Sequence, residues 1–364
     1  MPPPETCRIH RWPVINSLRR LCRKVFILAM AIACLSDDSA GQRTSPVQEK
    51  VTVERVVITG HVIDRFAKPI HGLTVDDFVL LVDGIPTPIE SVDWIETVQF
   101  LETRTPVVGA DRSGSASTEL GLPGSPRLTV LLFQWEISGQ KDTGFVRMMR
   151  QAKSLIESSG PDDLFAVLGF GSSLRLLQDF TNSHETIERA ILNVRSLGWK
   201  SPVPESGRPA LTTGITDCGR TDSIEAGLTC IGKGLDRLPG PKSLLFFGWS
   251  AATNEHTWRA RAPSVIESVT KAETSVFVLD VSDGRRYGKR LLLESLKTLA
   301  FETGGLYQTT YDFPDLARNR VQRTLDGYYE LTFRNQPTSR GWHRVDVELA
   351  RRLGTALFRR WFQD

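Results

Sequence analysis

Apolar residues follow two rhythms along this 364-residue chain, and the change between them divides it. Val51 to Asp64 (VTVERVVITGHVID) is crowded with β-branched residues, the composition of a strand. After a turn at Lys68-Pro69, Gly72 to Asp83 is strand-like again, and Asp83-Gly84 between two such runs is a hairpin signal. Ile89 to Glu96 adds a further strand, so residues 51–100 read as a small β unit. Residues 101–127 are rich in Gly, Ser, Thr and Pro and read as a linker.

From Leu128 the rhythm becomes alternating. Leu128–Phe133, Leu164–Phe170, Ser243–Phe247 and Ser275–Asp280 are short continuous apolar runs, as expected of strands buried on both faces. Leu174–Phe180 pairs with the second of them as a hairpin strand, and Leu306–Thr309 is a short strand after Gly304-Gly305. Between them apolar residues recur at helical spacing: Phe145 to Ile156, Ile187 to Leu197, Ser223–Leu238, Pro263–Ala272, Leu292 to Ala300 and Leu316 to Leu325. Residues 198–222 read as a loop. Strands alternating with helices predict an α/β fold, with a doubly wound, mostly parallel sheet covered by helices on both faces, over residues 128–325. Tyr328–Phe333, Arg344–Leu349 and Thr355–Phe362 are strand-like and make a C-terminal β tail, residues 326–364.

Charge changes the picture at one end only. The chain holds 45 Lys+Arg and 42 Asp+Glu, a formal net charge of +3. Residues 1–34 carry six basic residues and one acid; the remainder holds 39 basic and 41 acidic residues, a charge of −2, which gives no general case for nucleic acid. Arg19, Arg20, Arg23 and Lys24 precede the apolar run Val25–Leu35, too short to span a bilayer and suited to a secretory signal peptide. Ala31-Ile32-Ala33 before Cys34 offers a cleavage site, and alternatively places Cys34 for lipidation. Residues 1–34 are thus expected to be an export leader and residues 35–50 a flexible tether, so that the membrane is met only through export or lipidation. Cys218 and Cys230 are the cysteines left beyond the leader, enough for one disulfide, although a Cys230 deep in a helix requires Cys218 to fold back. The six histidines are scattered singly and read as surface or turn residues.

The β prefix Gly60 to Gly84, the strand 128–133, Leu296 to Leu306 (LKTLAFETGGL) and Tyr328 to Phe333 occur in an order that resembles the von Willebrand factor type A (vWA) fold, and more closely the exported vWA-related family of Acidobacteria. The resemblance implies a metal-ion-dependent adhesion site at the carboxyl end of the sheet. In that site an Asp-x-Ser-x-Ser motif, a loop Thr and a second Asp give oxygen ligands to a hard cation. Here Gln134 replaces the first Asp, Glu136 the first Ser, and Ser138 matches; Thr221 matches the loop Thr, and Gly248 stands where Asp is expected. With both aspartates replaced, the resemblance implies a degenerate site with no cofactor, in which Mg²⁺, Mn²⁺ or Ca²⁺ binding is severely weakened. Trp135 and Trp249 fall on neighbouring loops, so Trp135, Glu136, Ser138, Thr221, Trp249 and Ser250 are the candidates for contacting a protein partner.

Other motifs add little chemistry. Gly169 to Leu174 (GFGSSL) is followed by a strand pattern and reads as a hairpin turn, not a phosphate loop. Asp280 and Asp283 lie at a strand's carboxyl end and read as a strand-to-loop junction; Asp217, Asp222 and Glu225 read as helix-start acids. No nucleophile–base–acid set emerges. The expectation is an exported, non-enzymatic module that binds an unidentified protein at the envelope or outside the cell. An α/β hydrolase or nucleotide-binding enzyme and a structural scaffold of an envelope complex remain the alternatives.

Overall fold

The computed structural model describes residues 54–96, 127–135, 142–196, 202–282, 290–335, 340–351 and 354–364. The leader, the tether, most of the linker and the candidate positions Cys34, Glu136 and Ser138 lie outside these residues.

The central sheet has six strands: β5 (Leu128–Gln134), β6 (Leu164–Phe170), β7 (Leu174–Thr181), β8 (Lys242–Gly248), β9 (Thr274–Asp280) and β10 (Tyr307–Thr309), in the order β10-β9-β8-β5-β6-β7. All neighbours are parallel except β7, which returns antiparallel along β6. Side chains alternate across the sheet. Leu128, Val130 and Leu132 of β5 enter one core, and Leu131 and Phe133 enter the other. That double burial is the physical cause of the unbroken apolar run. The first core is closed by α4 (Ile224–Leu235), α5 (Glu255–Lys271) and α6 (Arg290–Glu302). The second is closed by α1 (Asp142–Glu157), α2 (His184–Leu192) and α7 (Pro314–Thr324).

Two local expectations are corrected. The stretch 198–222 contains a short helix, α3 (Thr212–Thr216). The helix expected from Pro263 starts at Glu255 instead: Asn254 caps it, accepting from the Thr257 amide at 2.9 Å, and Pro263 sits inside on its exposed side.

The β unit and the β tail, read from sequence as separate appendages, form one module. The strands are β1 (Glu54–Ile63), β2 (Phe78–Val82), β3 (Ile85–Pro86) and β4 (Ile89–Glu96) from the prefix. The tail gives β11 (Gly327–Asn335), β12 (Trp342–Leu349), β13 (Thr355–Phe358) and β14 (Trp361–Gln363). They assemble as two four-stranded sheets, β13-β1-β11-β4 and β14-β12-β2-β3, each mixing both ends of the chain. Ile58, Leu80, Tyr329, Leu331, Phe333 and Phe358 fill the core between them. The buried Tyr329 hydroxyl donates to the Ile70 carbonyl at 2.8 Å and accepts from the Leu73 amide, fastening the connection between β1 and β2. The hairpin at Asp83-Gly84 is present, with both residues at positive φ.

His61 and His343 are buried, correcting the surface reading of the histidines. His61 stacks edge-on against Phe277 of β9, and its Nδ1–H donates to the Gly327 carbonyl at 2.8 Å. Burial pushes it down to about 4, against the pull of its backbone acceptors, so it is neutral near pH 7. Among the described residues no helix is long and apolar enough to cross a membrane.

Candidate functional site

The carboxyl ends of β5 and β8 lie side by side, where ligands of open α/β sheets bind. Gln134 ends β5 and is buried. Its side-chain Oε1 accepts from the Trp249 amide at 3.0 Å and the Ser250 amide at 3.2 Å, pinning the loop after β8. Gly248 makes room for this: a Cβ there would lie 2.6 Å from Gln134 Oε1 and 2.5 Å from the Phe246 ring. The two positions that the resemblance assigns to aspartates therefore act as a pair.

The rest of that loop is held just as closely. The Ser250 hydroxyl donates to the Ala252 carbonyl at 2.6 Å and accepts from the Ala252 amide, while the Ala251 amide donates to Ser295 Oγ of α6. Glu225, in the first turn of α4, is fully buried, and its carboxylate accepts from the Thr253 amide and the Thr253 hydroxyl, each at 2.7 Å. Its sequence position suggested only a helix-start acid; its burial makes it the anchor of the loop. Of the other two acids in that group, Asp217 pairs with Arg237 at 2.9 Å and Asp222 with Arg220 at 3.2 Å, both near the surface. Thr221 is buried, and its hydroxyl accepts from the Leu174 amide at 3.2 Å, which closes the turn between β6 and β7.

Trp135 is 8% exposed and caps the second core. Its ring lies so close to Gly171 that a Cβ there would come within 2.7 Å, and the Arg175 guanidinium sits 5.2 Å over it. Arg175 is itself fixed by the carbonyls of Val194 and Ser196. Trp135, Thr221 and Ser250, expected as partner contacts, are thus buried supports of the loops. Trp249 is half-buried and packs against the second core, and Thr253 and Asn254, further along the same loop, are exposed.

Gln134 Oε1 already accepts from two N–H donors and the Thr221 hydroxyl from a third, and a Cβ at position 248 would lie 2.6 Å from Gln134 Oε1. Among the described residues no group of three His, Cys, Asp or Glu could hold a metal ion. Asp280, at the end of β9, is likewise engaged: it accepts from the Tyr307 hydroxyl at 2.6 Å and the Ser282 amide at 2.8 Å. Burial, reinforced by the Asp280 charge, keeps the Tyr307 phenol protonated.

No family model matches the chain, and no curated protein matches it. Solved structures do. An aerotolerance-related membrane protein from Bacteroides fragilis is 12% identical with a TM-score of 0.38, covering 55% of this chain and 98% of that one. BatB from Bacteroides thetaiotaomicron is 11% identical with a TM-score of 0.37, covering 55% and 97%. A von Willebrand factor type A protein from Catenulispora acidiphila is 10% identical with a TM-score of 0.38, covering 85% and 72%. The chain is a mixed α/β protein with a central, mostly parallel sheet flanked by helices.

Proposed function

We propose that this chain is an exported, vWA-like module that binds a protein ligand in the periplasm, at the cell envelope or outside the cell, and that it does so without a divalent cation and without catalysis. The observation that carries this reading is the fate of Gln134. At the position where the resemblance puts the first cation-binding aspartate, a neutral side chain spends its oxygen on two backbone amides. Instead of an ion bridging to a partner's carboxylate, the loop after β8 is fixed by the chain's own groups, with Glu225 beneath it. A pre-ordered loop of this kind loses little entropy on binding. Half-buried Trp249, in the loop that runs on to exposed Thr253 and Asn254, supplies an aromatic anchor. The basic leader before the apolar run Val25–Leu35 supports export, with lipidation of Cys34 as the alternative to a soluble form.

The test is capture of envelope proteins on the immobilised chain, washed in Mg²⁺ or in EDTA. Equal retention of the same partner in both washes is expected, with retention falling on the order of tenfold in Trp249→Ala. Retention lost in EDTA and restored by Mg²⁺ contradicts the reading.

A further inference from the structure

His343 of β12 belongs to the β module, and its side chain is only 4% exposed between two carboxylates. Nδ1 is 2.8 Å from Asp83 Oδ2, in the β2–β3 hairpin, and Nε2 is 3.2 Å from Asp364 Oδ2, just beyond β14. The ring stacks on Phe362 of β14 with centroids 5.2 Å apart. Both carboxylates are held in place by neutral donors: Asp83 accepts from the Arg344 amide at 2.9 Å, and Asp364 from the Gly341 amide and the Asn335 side-chain amide, each at 2.8 Å. A neutral imidazole carries one N–H, so it serves one aspartate and turns a lone pair toward the other. An imidazolium carries an N–H at both nitrogens: Nδ1–H donates to Asp83, while Nε2–H faces Asp364 as an ion-pair contact without hydrogen-bond geometry.

The strands that meet at this ring also join the β module to the α/β module. Trp361 Nε1 donates to Glu302 of α6 at 2.8 Å, the Arg360 amide to the Glu302 carbonyl at 3.0 Å, and Trp342 Nε1 to Glu267 of α5 at 3.1 Å. We infer that Asp83, His343 and Asp364 form a pH-sensitive clasp on β14 that controls how firmly the two modules are fastened.

The remaining charged groups nearby are matched elsewhere. Arg344 pairs with Asp346 at 3.1 Å and lies over Trp361; Arg360 also pairs with Asp346; Glu267 and Glu302 accept the tryptophan N–H groups. Burial by itself pushes His343 down, but the hydrogen bond to Asp83 and the charge of Asp364 outweigh it and raise it above its ordinary 6.5. His343 holds Asp83 below the carboxylate range. Asp364 is also held below it: burial works against this, and the Gly341 amide and His343 prevail. The folded chain therefore binds the His343 proton more tightly than the unfolded chain does. The clasp's contribution is complete below about pH 6.5 and is lost as pH rises through the raised value of His343. At the acid end it is lost as pH falls through the lowered values of the two aspartates.

Histidine C–H resonances of the full chain, followed by NMR across pH, test this. His343 is identified by its absence from His343→Gln, or by the resonance that moves in Asp364→Asn where the first variant does not fold. Its midpoint is expected above 6.5 and is expected to drop in both Asp83→Asn and Asp364→Asn, while buried His61 titrates near 4. Amide exchange of residues 361–363, referred to unfolded-chain rates, is expected to lose protection as pH passes the His343 midpoint. A midpoint at or below 6.5, or β14 protection that shows no step in pH, overturns the clasp.

Discussion

Gln134 and Gly248 are two residues with one job. Oε1 of Gln134 is the acceptor for two backbone amides, and the missing side chain at position 248 is what lets it reach them. Gln134→Ala leaves those donors without their partner in a buried site and is expected to cost about 1–3 kcal/mol. Gly248→Ala drives a Cβ against Gln134 and Phe246 and is expected to cost a similar ~1–3 kcal/mol through overpacking. Urea unfolding measures both. A Gly248→Ala midpoint equal to that of the unchanged chain would show that the space is not needed. The substitutions at both positions were plain in the sequence. Where the Gln134 oxygen goes was not, because its donors come from backbone 115 and 116 residues further on. Glu225 shows the same limit: its place at the start of a helix could be read locally, but its partner Thr253 belongs to another loop.

At the scale of elements, the disulfide and α3 explain each other. Cys230 lies inside α4, yet Cys218 reaches it, with Cα atoms 5.7 Å apart. The chain folds back through α3, whose Gly214 packs so tightly on α4 that a Cβ there would lie 2.4 Å from Gly234 Cα. Buried Asp179 of β7 fixes the start of α3 by accepting from the Leu211 amide at 2.8 Å and the Thr212 amide at 3.0 Å. With a sequence separation of 12, the bridge is expected to stabilise by about 3 kcal/mol on the chain-entropy model. Denaturant midpoints with and without reductant check this, and coincident curves contradict it. Long amphipathic helices and doubly buried strands were readable because each repeats its own pattern several times. The five residues of α3 complete barely one turn, too few to show a period. Apolar spacing marked a helix only over Pro263–Ala272; the cap at Asn254 shows that it begins two turns earlier.

Among the described residues, an α/β module is set into a β module built from strands on both sides of it in the chain. Strand alternation reveals which side of a strand is buried but carries no address for its partner, so β1 could be read as a strand without revealing that β11 and β13 flank it. It follows that residues 51–100 expressed alone are expected to stay unfolded by circular dichroism and NMR, since β1 loses both neighbours; a cooperatively folded fragment would contradict the shared module. The larger claim concerns what the carboxyl end of the central sheet can bind. If Gln134, Gly248 and Glu225 have replaced an ion by an internal network, the protein has no use for one. Calorimetric titration of the purified chain with Mg²⁺, Mn²⁺ and Ca²⁺ tests this most directly. The account predicts no saturable binding of any of the three, and micromolar affinity abolished by Glu136→Ala or Ser138→Ala would contradict it.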